Sequence, residues 1–345
     1  MKKLLLSALV LSALLGCSKP AQTKDTAKVE FQATKDFVRM PEVNGSPTNM
    51  HGDVAVSSKG EVYVSTMDAA KGVQVFSPDG KFLRNVPNAP ADFHGFVIHK
   101  DKDGEFIYGP RLVAHTIVKM TLDGKIVKEV SASVIPDKFK KKAPATKKGP
   151  KGDMIPNPDA GKIGVRMTAM DVTPSGDWYV TDGYSSDFVH HFDRDGKYIK
   201  SFGGKEPPYS FATLHKIAID TRFTPNRIIG VDRANGRVVH MSLNGDFLGV
   251  IVSNLILPAA VAVQGDYAVI GEIKGRVTLL DKAGKIVTQF GANDRADEVG
   301  SNKAELPIWR PGFVTAPHGV AFDAKGNVYV SEYNTSGRVH KFVRK

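Results

Sequence analysis

Three histidines stand at the same position of three similar segments, and alternating apolar residues follow each of them. They are His94 in His-Gly-Phe-Val-Ile, His215 in His-Lys-Ile-Ala-Ile and His318 in His-Gly-Val-Ala-Phe. Neutral imidazoles that converge on one point bind transition metals, and zinc with three protein ligands and one open position is the leading candidate. The alternative is three independent histidines, each hydrogen-bonded to water or to backbone.

A second set of reactive side chains follows two other apolar segments. Tyr184 ends the sequence Thr-Asp-Gly-Tyr, and Asp232 and Arg233 begin Asp-Arg-Ala-Asn-Gly-Arg. A tyrosine can transfer a proton, and an arginine offers a fork of donors that fits a carboxylate. The structural alternatives are an aromatic residue at a sheet edge and an ion pair between neighbouring sheets.

The elements that must position these residues form an internal repeat. A tight turn followed by a strand occurs five times, at residues 77–83, 121–127, 193–199, 242–248 and 281–287. Each copy has a glycine at its fourth position, usually after Asp or Asn, which supplies the positive φ of a hairpin turn. Three further β-type segments precede the turn, so with the strand that follows it each unit has four strands and roughly 40 to 50 residues.

Four-stranded units of this length predict an all-β fold, a six-bladed β-propeller. Blades begin near Gly52, His94, Thr168, His215, Ala259 and His318. The sixth unit ends after its third strand, so we expect residues 29–31 or 37–39 to supply the fourth strand and close the ring.

The first strand of each propeller blade lines the central channel, so the histidines occupy equivalent positions in blades two, four and six. Blades one, three and five have Gly52, Thr168 and Ala259 there. This pseudo-threefold arrangement favours the metal interpretation over independent histidines. His51 precedes its slot by one residue, and strand alternation would turn it to the other face, so we expect it to be peripheral.

The segment from Ala316 to Val330 and its counterparts resemble the NHL repeat family over nearly all of residues 47–345. With the histidines, the Asp-Gly-Tyr and Asp-Arg-Ala-Asn-Gly-Arg elements are similar to the lyase domain that cleaves peptidyl-α-hydroxyglycine. That resemblance implies zinc ligation by the three slot histidines, Tyr184 as general base, and Arg233 as the group that binds the substrate carboxylate.

Three positions depart from that family. Its second arginine, in blade one, is absent, and Arg111 fills a similar place in blade two; we therefore predict Arg111 and Asp232 as substrate-binding residues. The family's methionine before the last ligand is Ala316, and the acid of its calcium site is Gly319. Calcium binding and the native substrate are therefore not carried over by the resemblance.

The N-terminus resembles a bacterial lipoprotein signal. Lys2 and Lys3 precede an apolar segment, residues 4–15, and Leu-Leu-Gly-Cys places the sole cysteine, Cys17, at its end. The predicted divisions are a signal peptide at 1–16, a lipidated cysteine and tether at 17–28, and the propeller at 29–345. This predicts a lipid-anchored protein of the bacterial cell envelope, at the outer membrane, facing the periplasm or the surface.

Charge and composition restrict the partners. The chain has 345 residues and a net charge of +11. Because it has one cysteine, a disulfide framework and a cysteine-rich zinc site are excluded. Without residues 1–16 the charge is +9, and seven lysines carry most of it in an insertion, residues 138–153, predicted to be a mobile surface loop. They are Lys138, Lys140, Lys141, Lys142, Lys147, Lys148 and Lys151.

We therefore expect an anionic surface as partner of this insertion and no nucleic-acid binding, since the export signal argues against it. The protein is expected to be a monomer with a small-molecule or peptide ligand at the channel mouth. Two functions remain open: a metal-dependent lyase acting on a small carboxylate-bearing compound, or a non-catalytic propeller scaffold that binds a peptide, a glycan or an envelope protein.

Overall fold

The computed structural model describes residues 29–35, 37–39, 50–66, 68, 70–148, 153–301, 310–335 and 337–345. The predicted signal peptide, Cys17 and the tether lie outside these residues. Within them the chain folds into four-stranded antiparallel sheets, as the Val-, Tyr- and Phe-rich segments predict. The described residues contain no helix that is long and apolar enough to cross a membrane.

The strands follow the predicted blade order. Before blade one come β1 (Phe31–Ala33) and β2 (Val38–Arg39). Blade one contains β3 (Val54–Val56), β4 (Val62–Ser65), β5 (Val73–Phe76) and β6 (Phe82–Asn85). Blade two contains β7 (Val97–Asp101), β8 (Gly104–Pro110), β9 (Thr116–Thr121) and β10 (Ile126–Ser131). An arm between blades two and three contains 3-10 turns at Ala132–Val134 and Asp137–Phe139, then β11 (Lys141–Lys142), β12 (Thr146–Lys148), β13 (Met154–Pro156) and β14 (Ile163–Gly164).

Blades three to five have the same four-strand pattern, and blade six has three strands of its own. Blade three contains β15 (Ala169–Val172), β16 (Trp178–Thr181), β17 (Phe188–Phe192) and β18 (Tyr198–Gly203). Blade four contains β19 (Leu214–Asp220), β20 (Arg227–Asp232), β21 (Arg237–Ser242) and β22 (Phe247–Val252). Blade five contains β23 (Pro258–Gln264), β24 (Tyr267–Glu272), β25 (Arg276–Leu280) and β26 (Ile286–Phe290). Blade six contains β27 (Pro317–Phe322), β28 (Val328–Glu332) and β29 (Arg338–Arg344).

The ring closes where the sequence predicts it. Both β1 and β2 pair antiparallel with β29, so together they take the place of the missing fourth strand in blade six. The first strands of consecutive blades are in contact from β3 through β27, and β27 in turn contacts β3. The all-β six-bladed propeller with an N-terminal closing strand is thus confirmed.

The hydrophobic core is divided into six clusters, and each cluster lies between two neighbouring blades. One joins blades two and three around Trp178, which is fully buried against Tyr108 and Phe192. Another joins blades one and six around Tyr329 and Phe76. Because every blade contributes to two clusters, burial of apolar surface holds the ring together all the way round and fixes the channel at its centre.

The lysine-rich insertion differs from the predicted loop. Its described part forms two short antiparallel ladders, in which β11 pairs with β14 and β12 with β13. The arm begins after β10, the last strand of blade two, and ends just before Thr168, the slot residue of blade three. Its base therefore lies beside the channel end that carries the histidines. Its predicted mobility stays a prediction.

Candidate metal centre and channel mouth

Each of the three slot histidines is held by the same hydrogen bond. Its Nδ1 faces the main-chain carbonyl of the slot residue in the following blade. The distances are 2.8 Å from His94 to Thr168, 2.6 Å from His215 to Ala259 and 3.0 Å from His318 to Gly52. Since a carbonyl only accepts, Nδ1 must carry the proton, and the lone pair of each imidazole is on Nε2. Blades one, three and five therefore orient the rings that blades two, four and six supply.

The three rings converge as the pseudo-threefold pattern predicts. Their centroids are 4.6 Å apart for His94 and His318, 4.9 Å for His215 and His318, and 5.0 Å for His94 and His215. Burial is the main reason that the pKa of all three lies well below the usual histidine value; the neighbouring imidazoles disfavour a second positive charge and lower it further, as does Arg233 for His94 and His215. The imidazoles are therefore neutral at neutral pH, with lone pairs available to a cation.

Among the described residues, too few hydrogen-bond donors face these lone pairs. The Tyr184 hydroxyl lies 3.1 Å from Nε2 of His94 and 3.1 Å from Nε2 of His215, but it has one proton to donate. Nε2 of His318 is buried and has no hydrogen-bond partner among the described atoms. Buried acceptors without donors are costly, and a metal cation satisfies several at once. The donor set thus fits a metal ion held by three imidazoles.

His51 belongs to this cluster, and the prediction that it is peripheral was wrong. Its ring centroid lies 4.6 Å from that of His94 and 4.8 Å from that of His318. One ring nitrogen of each of these three residues lies within 4.8 Å of the others. The strand-alternation argument fails because β3 begins only at Val54, so residues 51–53 do not have strand periodicity. Burial and the nearby Arg233 and Arg166 lower the pKa of His51 to about 4.

Tyr184 and Arg233 lie next to the histidines, in the loops that follow the second strands of blades three and four. Nη1 of Arg233 donates to the Tyr184 hydroxyl over 3.3 Å, and its guanidinium carbon is 5.2 Å from the ring centre. Both residues line a cavity of about 450 Å³ at the channel mouth. The cavity lining also includes His51, Thr213, Ala234, Leu257, Ile273, Gly300, His318 and Tyr333.

Asp232 has a different role from the predicted contact with substrate. Its carboxylate is fully buried and accepts from the Ala212 amide at 2.8 Å, from Arg237 Nε at 2.7 Å and from Asn235 Nδ2 at 2.7 Å. The same position at the end of the second strand holds an acid in blades three, five and six as well. Asp182, Glu272 and Glu332 each accept an amide from the segment that leads into the first strand of their own blade. Asp232 is therefore a repeated structural anchor, and it holds the loop that presents Arg233.

Arg111 occupies in blade two the position that these acids occupy in their own blades. In blade two the end of the second strand carries the cation, and the segment that leads into the first strand carries the acid. The Nε atom of Arg111 lies 2.9 Å from Oδ1 of Asp92, which stands in the segment leading into blade two, and its Nη1 lies 3.3 Å from Glu129. It does not line the described cavity. The predicted role in substrate binding is not supported by this placement, because the guanidinium is already paired and braces the segment that leads to His94.

Two residues that the sequence analysis missed also face the site. The guanidinium carbon of Arg166 lies 5.7 Å from the Tyr184 ring centre, and Tyr333 lies with its ring centroid 4.5 Å from that of His51. Arg166 ends the lysine-rich arm, where no motif marks it. Tyr333 directly follows the structural acid Glu332, as Arg233 follows Asp232. This equivalent position in the repeat could have indicated from the sequence that Tyr333 faces the site.

An ion pair crosses the channel next to the histidines. Lys216, which follows His215 in blade four, donates to the carboxylate of Asp53 in blade one, on the opposite side of the ring. Both side chains are buried, at 7% and 2% exposure. A Cβ at Gly319 would lie 2.3 Å from Oδ1 of Asp53, so glycine at 319 makes room for this carboxylate. Lys216 and Asp171 line a second cavity of about 230 Å³ further along the channel.

Comparison with known proteins agrees with this architecture. No protein-family model matches the sequence. The chain is 28% identical over 219 residues to Peptidyl-alpha-hydroxyglycine alpha-amidating lyase 1 of Drosophila melanogaster; the match covers 54% of this chain and 37% of that protein. The chain thus matches little more than a third of that relative's length.

Solved structures share the fold at low sequence identity. The virginiamycin B lyase of Staphylococcus aureus, solved with quinupristin, has a TM-score of 0.55 and 17% identity, over 91% of this chain and 99% of that one. A gluconolactonase of Xanthomonas campestris has a TM-score of 0.56 and 10% identity, over 86% and 88% of the two chains. The chain is therefore a propeller with a cluster of channel histidines, similar in fold to known lyases and lactonases.

Proposed function

We propose that this protein is a metal-dependent lyase that acts at the channel mouth on a small carboxylate-bearing substrate of the peptidyl-α-hydroxyglycine type. The observation that carries the proposal is the set of three Nε2 lone pairs, oriented by equivalent carbonyl bonds and adjacent to Tyr184 and Arg233. The activity named for the Drosophila relative supports it.

The proposed reaction needs a bound metal, a group that binds the substrate carboxylate and a group that accepts a proton. Nε2 of His94, His215 and His318 would hold zinc, which when bound supplies a Lewis acid that favours loss of a hydroxyl proton. Arg233 binds the substrate carboxylate through its guanidinium. As the phenolate, Tyr184 would accept the proton of the α-hydroxyl while the carbon–nitrogen bond breaks. The hydroxyl carbon becomes the aldehyde of glyoxylate, and the departing nitrogen takes that same proton back from Tyr184 to give the primary amide, so atoms and charge balance and the phenolate is restored.

The first test of this proposal is metal content. The purified protein should hold about one zinc per chain, as a site of three imidazoles does, measured by elemental analysis after dialysis. The combined variant His94→Ala, His215→Ala and His318→Ala should hold none. A double variant at histidines away from the cluster, His99→Asn and His115→Asn, is the matched control and should keep the zinc. A wild-type protein without metal would overturn the proposal.

The second arm of the test is turnover. Zinc-loaded protein should release glyoxylate from an α-hydroxyglycine peptide, detected by a coupled assay for the aldehyde. A protein that holds zinc but releases none would move the conclusion to the scaffold function, in which the same cavity binds a peptide without cleaving it.

We also propose that Cys17 anchors the protein to a membrane of the bacterial envelope and that the arm around Lys138–Lys151 faces the anionic lipid surface. The lipobox-like sequence and the local charge support this proposal. Metabolic labelling with a radioactive fatty acid should mark the wild type, and Cys17→Ser should abolish the label and shift the protein to the soluble fraction. Cys17→Ser protein that stays labelled in the membrane fraction would contradict the anchor.

A further inference from the structure

We propose that His51 is a fourth ligand of the metal site, so that the resting site holds four imidazoles and a substrate oxygen enters by displacing His51. This inference rests on the proposed metal site and names a ligand beyond the three slot histidines. Four nitrogen ligands give zinc a closed tetrahedral site, whereas three leave a position open for chemistry.

The position of His51 carries the inference. Its ring meets those of His94 and His318 at 4.6 and 4.8 Å between centroids, edge to face, and one nitrogen of each residue lies within 4.8 Å of the others. These separations match those among the three slot histidines, which are 4.6 to 5.0 Å. His51 is therefore as close to His94 and His318 as those two rings are to each other and to His215, and it shares with His94 and His318 the group whose ring nitrogens lie within 4.8 Å of one another.

The chain holds the His51 backbone rigidly. Met50 and Asn334 exchange both main-chain hydrogen bonds, at 2.8 and 3.0 Å, which ties the start of blade one to blade six. On the other side, the carbonyl of Gly52 accepts from Nδ1 of His318. His51 thus lies between two contacts made by ring closure, and one of them orients another imidazole of the cluster.

The His51 side chain is held less firmly than those of the slot histidines. Their Nδ1 atoms are bonded to carbonyls and their rings are almost fully buried, whereas His51 is partly exposed and lines the mouth cavity. Its Nε2 lies 3.3 Å from the Tyr184 hydroxyl, and its ring packs against Tyr333. Among these four imidazoles, His51 is therefore the one that can leave the metal towards the cavity while the other three stay fixed.

The exchange needs no further reagent. His94, His215 and His318 would keep holding the metal, and a hydroxyl oxygen of the ligand would take the place of His51 Nε2. The Tyr184 hydroxyl lies beside His51 Nε2 as well as beside the slot histidines, so it can hydrogen-bond to the released imidazole. His51 would return when the product leaves, and the proposed resting site would again hold four imidazoles.

The test measures metal coordination instead of activity. Full-length protein is loaded with Zn²⁺ alone, and X-ray absorption counts the imidazoles around the metal in wild type, His51→Ala and His51→Gln. We expect four imidazoles in the wild type and three plus one oxygen in both variants. Competition with a chelator should show zinc binding weakened by at least about 10-fold, because removal of residues that merely support a ligand already costs 10- to 100-fold.

Matched controls separate this result from general damage. His115→Asn removes an exposed histidine at a position of positive φ that asparagine tolerates, and Tyr333→Phe keeps the ring against His51. Both should leave the count at four. If His51→Ala and His51→Gln lose the same imidazole and the same zinc affinity, and unfold at the same temperature as the wild type, the loss is due to removal of the His51 imidazole from the metal.

The outcomes distinguish this inference from the proposed function. A wild type that binds zinc through three imidazoles and one oxygen, with unchanged affinity in His51→Ala, overturns the role of His51 and leaves the lyase proposal intact. Four imidazoles without glyoxylate release support His51 and overturn the lyase. A wild type that binds no metal overturns both.

Discussion

Replacing Tyr184 by phenylalanine is expected to lower kcat for an α-hydroxyglycine peptide by about 10²- to 10⁴-fold, the usual contribution of a positioned proton-transfer group. The Tyr184 hydroxyl lies at the centre of the site, 3.1 Å from two imidazoles and 3.3 Å from Arg233. The substitution removes this oxygen and keeps the ring that packs on His94. Glyoxylate release under saturating peptide measures the effect.

The zinc content of Tyr184→Phe should remain near that of the wild type, because the proposed ligands are imidazoles. Tyr333→Phe is the matched control, since this second tyrosine lines the same cavity, and its kcat should fall by less than about 10-fold. A Tyr184→Phe protein that retains wild-type kcat would remove the residue from the chemistry. Loss of zinc in this variant would instead make Tyr184 part of the metal site.

Replacing Lys216 by methionine is expected to destabilise the folded protein by about 3–5 kcal/mol at pH 8, the range for breaking a buried ion pair from one side. Methionine keeps the length of the side chain and removes the charge, which leaves the carboxylate of Asp53 ionised in the channel without its cationic partner. Urea unfolding followed by tryptophan fluorescence measures the change in the free energy of unfolding. Lys197→Met, at an exposed turn, is the control and should change it by less than about 0.5 kcal/mol.

The cost of Lys216→Met should shrink as the pH falls. Burial raises the pKa of Asp53 above its ordinary value of 3.8, and Lys216 opposes this rise. Without the lysine, the pKa in the folded protein rises further, so the folded state binds a proton that the unfolded state releases. Stability is therefore retained at low pH and lost as the pH rises through the folded-state pKa.

The difference between wild type and Lys216→Met isolates this effect, because acid protonation of the unfolded histidines is common to both. Unfolding at pH 5 and pH 8 should show the smaller difference at pH 5. The double variant Lys216→Met/Asp53→Asn should recover part of the loss at pH 8. Asp171, also near Lys216 and with its pKa raised by burial to about 6, still loses its cationic neighbour in that variant. Equal costs at the two pH values would contradict an ionised Asp53.

The Asp53–Lys216 pair also occupies the space beside Gly319, the position at which the resembled lyase domain has an acid. The space that a side chain would need there is occupied by Asp53, whose charge is met by an ammonium group from the opposite blade. The chain thus provides its own cation at the centre of the channel, immediately after a candidate metal ligand in sequence. We expect His215 to be held in place by this pair as well as by its bond to Ala259.

The sequence by itself determined the architecture and the positions of the slot histidines. The glycines of the repeated turns adopt positive φ as predicted, including Gly284 in the copy that departs most from the pattern, at 84°. Such features are local, since turn chemistry and β-alternation act within a few residues. Repetition then specifies the rest, because equivalent residues in successive blades must occupy equivalent places around the ring. His94, His215 and His318 are close together for that reason.

Only the tertiary structure decided what lies between the repeats. His51 precedes its strand, so periodicity could not place it, and ring closure through Met50 and Asn334 brings it to the cluster. Asp232 resembled a substrate ligand in sequence, and it is an anchor because the preceding segment folds back onto its carboxylate. Lys216 pairs with Asp53, although 163 positions separate the two residues in the sequence. Such contacts depend on where distant segments meet around a closed ring, which no local pattern encodes.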